Sequence, residues 1–161
     1  RRINELIMTK PFSLQTLMKL AQHQNDSATS RLGQLNRQQQ GAQQSLDTLL
    51  EYRKDYQARL QEAARNGMNP ADLRNFQQFI NKLDDAISQQ LKLVEQSKAS
   101  TQAGCNEFDA ARRKLKSFDM LQQRHIKEQK KIAEKSEQKT LDEHTSRVAA
   151  YKMNNLEEQN K

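Results

Sequence analysis

Along residues 14–63 every seventh position is apolar: Leu14, Ala21, Ala28, Leu35, Ala42, Leu49, Tyr56 and Ala63. A period of seven sets these side chains on one stripe of an α-helix, the pattern of a helix that packs lengthwise against another. The companion row, four residues later each time, reads Met18, Asn25, Leu32, Gln39, Leu46, Arg53 and Leu60, so large apolar groups alternate with polar ones. Such polar layers weaken a seam and are able to fix its register. Farther along, Leu73, Ile80, Ile87, Val94, Thr101, Phe108 and Leu115 repeat the spacing, with threonine the single polar member.

One turn signal separates the two runs, Arg65-Asn66-Gly67-Met68-Asn69-Pro70. Gly67 suits the left-handed conformation that ends a helix, Asn69 suits the cap of the next, and Pro70 fits its first turn. The expected organisation is a poorly ordered N-terminal extension over 1–12, a first helix over 13–65, the turn at 66–70, a second helix paired with the first over 71–122, and a charged helical overhang or tail over 123–161. Folding back about the turn brings together residues whose numbers sum to about 136, for instance Leu49 with Ile87 and Ala63 with Leu73. The paired section would be ~75 Å long and the overhang up to ~50 Å.

Composition agrees with that reading. Of 161 residues, 34% are hydrophobic and 29% charged, too polar for an ordinary globular enzyme core but sufficient for a two-stranded seam. Two prolines and four glycines are too few for the turns of a sheet-rich chain. The fold class expected is all-α, a long antiparallel two-helix coiled-coil hairpin with an overhanging C-terminal helix. The single cysteine, Cys105, cannot form an intrachain disulfide, no window has the ~18 apolar residues of a membrane span, and a cytoplasmic protein is expected.

The excess of 27 Lys and Arg over 20 Asp and Glu gives a net charge of +7, spread along the chain. Its densest run, Arg112-Arg113-Lys114-Leu115-Lys116, points in several directions on a helix and reads as a solvated face. His23, His125 and His144 lie far apart, and Cys105 has no evident activator, so no catalytic, cofactor-binding or metal-ligating set is expected. The feature that exceeds a plain coiled coil is an excess of apolar and aromatic groups near the turn. Leu49, Tyr52 and Tyr56 on the first helix and Phe79, Leu83 and Ala86 on the second follow steps of three and four, and the hairpin register sets the two stripes alongside. Aromatic rings on a partly exposed helical face suit protein binding, since a rigid ring buries large area at little entropic cost.

The segment Leu49-Leu50-Glu51-Tyr52-Arg53-Lys54-Asp55-Tyr56, the Asn66-Gly67 turn, Phe76-Gln77-Gln78-Phe79-Ile80 with Leu83 and Ala86-Ile87, and the opening Pro11-Phe12-Ser13-Leu14-Gln15-Thr16-Leu17 together resemble the flagellar type III export protein family FliJ. The resemblance covers about residues 10–120. It implies a non-enzymatic central stalk that promotes assembly of the hexameric flagellar export ATPase, couples it to the membrane export gate and escorts export chaperones. It also implies peripheral association with the inner membrane through the export apparatus. Carried over by position, the gate-facing surface is Leu49, Tyr52, Tyr56, Phe79, Leu83 and Ala86. Lys19, Arg31, Arg112, Arg113, Lys114 and Lys116 are the candidate contacts to the ATPase ring. Competing readings are the stalk protein of a virulence-type secretion system, a basic nucleic-acid-binding coiled coil, and a generic dimeric coiled coil. The nucleic-acid reading lacks stacking aromatics among the cations.

Overall fold

The computed structural model describes the backbone of residues 2–160 and the side chains of residues 14–160. Residues 1–12, expected as an N-terminal extension, thus lie outside the described side chains. Two helices account for the fold, α1 (Arg2–Arg65) and α2 (Pro70–Gln159), of 64 and 90 residues. No strand occurs among the described residues. The chain divides into two units, one formed by Lys19–Leu115 and the other by Arg1–Met18 with Lys116–Lys161.

The turn forms from local chemistry. Gly67 takes a positive φ of 81°, a conformation that costs a residue without a Cβ nothing. The Asn66 and Gly67 amides donate to the carbonyls of Glu62 and Ala64, closing the last turn of α1. Asn69 Oδ1 accepts the Ala71 amide at 3.2 Å, which caps α2 at its first turn, where Pro70 has no amide to offer.

Within the Lys19–Leu115 unit the helices run antiparallel, in the register that the turn imposes. Gln90 Nε2 donates to the Ala42 carbonyl at 2.9 Å, Thr101 Oγ1 to the Leu35 carbonyl at 3.3 Å, and Arg31 pairs with Glu107. These contacts, like the aromatic contacts of Tyr56, join residues whose numbers sum to about 136. Leu46, Ile87 and Val94 form the core cluster, with Ala42 and Leu49 packed against it. Every described position of the two heptad rows of α1, from Leu14 to Ala63, is at least partly buried.

On α2 the row Ile80, Ile87, Val94 and Thr101 is buried, but Leu73 is 45% exposed. Phe76, one helical turn later, takes the place against α1 instead, with its ring centroid 6.0 Å from that of Tyr56. A second row on α2, with Leu83, Gln90, Ser97, Gly104 and Ala111, completes the seam. Gly104 belongs there because the helices approach closely: a Cβ built on it would lie 2.5 Å from Leu35 Cδ1.

In the second unit, Phe118, Gln122 and His125 are half-buried, and side-chain hydrogen bonds run along the surface of α2. Gln123 donates to Asp119, Gln138 to Asp142, and the Thr140 and Thr145 hydroxyls to carbonyls four residues back. All residues from 126 to 160 are exposed, Ile132, Leu141, Tyr151 and Leu156 among them. Such short-range pairs add only a few tenths of a kcal/mol each. The Leu46→Ala change, which empties part of the core cluster, should therefore lower stability by about 2–4 kcal/mol. Leu141→Ala should shift it by less than about 0.5 kcal/mol. Circular-dichroism melting in urea checks both.

Candidate protein-binding site

The candidate site lies in the hairpin near the turn, where apolar residues extend beyond the two seam rows. Tyr56, at a seam position of α1, packs its ring on Phe79 of α2 with centroids 4.2 Å apart and planes inclined by 29°. Phe76 flanks the same ring from the turn side, and the Arg59 guanidinium sits 5.8 Å from its centroid. The cation faces the negative π-cloud, an interaction that keeps the aromatic cluster bordered by positive charge.

The six residues expected at this surface divide by burial. Tyr52 is 56% exposed and Phe79 39%, so these rings present area to a partner. Leu49, Tyr56 and Ala86 are half-buried and form the floor between them. Leu83 is buried at 8% and belongs to the seam; it supports the surface from beneath. In an antiparallel pair the positions just before the seam on each helix fall on one side. Tyr52, Phe79 and Ala86 hold such positions, and so does Leu93, which is 52% exposed. Leu93 escaped the sequence reading because it sits beyond the aromatic segment; its seven-residue spacing from Ala86 and Phe79 was the available signal.

The opposite flank is mixed: Leu50 and Leu91 are 45% and 48% exposed there, beside polar groups. Arg53, a seam residue, donates from Nε to Asp84 Oδ1 and from Nη1 to Gln57 Oε1 at 3.2 Å. The hydrogen bond to Asp84, and then that carboxylate's charge, raise the Arg53 pKa above its ordinary value. A solvated pair of this kind ties one polar seam layer to the neighbouring helix and adds little to stability.

The six basic residues do not converge into one cluster. Arg31 and Lys114 line a shallow groove with His23, Gln24 and Glu107, and Arg31 Nε lies 3.9 Å from Glu107 Oε2. Arg112 and Arg113 are exposed on successive sides of α2, Lys19 is exposed on α1, and Lys116 is an exposed residue of the other unit. Among the described residues no group of three or more His, Cys, Asp or Glu side chains is placed to hold a metal ion. No described helix is long and apolar enough to cross a membrane. What the arrangement supplies is a bare aromatic and aliphatic surface on a rigid pair of helices.

Residues 9–154 match the family described as Flagellar FliJ protein. Two relatives bearing that same name, from Salmonella typhi and Escherichia coli strain K12, are each 28% identical to this chain over 145 residues, covering 90% of it and 99% of the relative. The heptad seam, the glycine turn and the aromatic segment all fall inside the matched region, and the chain belongs to the flagellar FliJ protein family.

Proposed function

We propose that this chain is a component of the flagellar protein export machinery, acting as a central stalk of the export ATPase ring. In this reading it promotes assembly of the ATPase hexamer, couples the ring to the membrane export gate and escorts export chaperones. It works on the cytoplasmic side of the inner membrane, held there through the export apparatus. The observation that carries the reading is the pairing of family membership over residues 9–154 with an exposed Tyr52 ring that lies outside the seam rows, beside the partly exposed Phe79. An exposed ring outside the seam is suited to a partner protein. Hydrolysis belongs to the ATPase, and this chain contributes contacts.

The gate contact is assigned to Leu49, Tyr52, Tyr56, Phe79 and Ala86, with Leu83 holding them from below. The ring contact is assigned to the dispersed cations Lys19, Arg31, Arg112, Arg113, Lys114 and Lys116. Many weak polar contacts of this kind suit a stalk that must not lock in one position. Their strength should fall with ionic strength, since all six are solvent-exposed.

Binding of the gate's cytoplasmic part, followed by isothermal titration calorimetry, tests the surface. Tyr52→Ala should weaken binding at least about tenfold, as expected of an aromatic anchor. The same change should move the hairpin's stability by no more than about 0.5 kcal/mol. Phe79→Ala should weaken binding and also lower stability by about 1–2 kcal/mol, because it removes the stacking partner of Tyr56. Unchanged binding by Tyr52→Ala would exclude this surface.

A further inference from the structure

The seam of the Lys19–Leu115 unit is uneven along its length. In its inner part Leu46, Ile87 and Val94 are buried to 5%, 9% and 3% exposure, and Gln90 and Thr101 bond across to carbonyls of α1. Leu32 and Leu35 close over Gly104. In the outer part, Ala21, buried to 2% exposure but small, and the half-buried Asn25 and Ala28 of α1 meet the half-buried Phe108, Ala111 and Leu115 in the observed register. There α1 brings two methyl groups and an amide to the seam. The polar contact across this stretch is the Arg31–Glu107 pair, with side chains 65% and 57% exposed.

Asn25 is the unusual member. Its Oδ1 is buried and has no hydrogen-bond partner in the protein, and the register sets it opposite Ala111. A seam asparagine specifies register by bonding to a polar group on the facing helix. Opposite alanine it lacks that bond, and the four-residue turn at Gly67 already sets the register of this hairpin. The amide therefore brings the cost of a desolvated carbonyl without the usual return, beside alanines that bury little area.

We propose that the outer section, residues 21–31 with 105–115, opens as a local unit while the Leu46–Ile87–Val94 core stays closed, and that Asn25 is the layer that sets the ease of opening. Opening hydrates the Asn25 carbonyl and exposes the half-buried Phe108 and Leu115. The hairpin is thus built with one end that parts readily and one that holds.

Native-state amide hydrogen exchange on the full chain, resolved by residue, tests this. Amides of 24–31 and 108–115 should exchange at least about 100-fold faster than those of 42–49 and 87–94, through an opening that does not involve the inner section. Asn25→Leu should slow the outer amides at least about tenfold and leave the inner ones within about twofold. Should Asn25→Leu misfold, Asn25→Ala removes the carbonyl without adding bulk and should slow the same amides by a smaller factor. Equal protection of both sections in the unchanged protein would overturn the proposal. So would outer rates that neither substitution slows, since the Asn25 layer would then not set the opening.

Discussion

The packing of Leu46 against Ile87 and Val94 is the contact on which the rest of the hairpin depends. Helices of this polarity gain little from their own propensity, and most helical stability comes from burying an apolar stripe against a neighbour. Each of α1 and α2 supplies the neighbour for the other. Gly67 fixes how they meet: its positive φ closes a turn of four residues, so the sliding freedom of two separate strands is absent and one register holds along the unit. Every lateral feature, from the Arg53–Asp84 pair to the Tyr56–Phe79 stack, follows from that register.

The candidate surface arises because the apolar face near the turn is wider than a two-stranded seam requires. Two rows per helix would be covered by the partner helix. A third row leaves Tyr52 on α1 and Phe79 and Leu93 on α2 facing solvent on one side, with Ala86 half-buried among them. The buried Leu83 and half-buried Tyr56 hold these groups in place without presenting much area themselves. Rigidity and exposure are thus supplied by different residues, an arrangement that lowers the ordering cost of binding. Under the proposed function, this is the surface assigned to the export gate.

Much of this was legible in the sequence because coiled-coil packing is read by period alone. The rows beginning at Leu14 and Met18 follow the burial of α1 throughout, including the polar members Asn25, Gln39 and Arg53. The second row of α2 was harder to see, since Gln90, Ser97 and Gly104 are polar or small and break the apolar count. They are at the seam for reasons a period cannot show: a bond from Gln90 to the Ala42 carbonyl, and a close approach that leaves no room for a Cβ at Gly104. Leu73 failed in the opposite sense, being apolar and in phase yet exposed, because the seam near the turn is occupied by Phe76. Leu83 was read as surface since its spacing serves both the patch and the seam, and only the packing of the two helices decides between them.

The most direct measurement of the central claim is the ATP hydrolysis rate of the cognate flagellar export ATPase, at a concentration where it is mostly monomeric, with and without this chain. Light scattering recorded on the same samples reports the oligomer. The stalk reading requires a several-fold rise in rate accompanied by formation of the hexameric ring. A rate and an oligomer that are both unchanged by saturating amounts of the folded hairpin would contradict it.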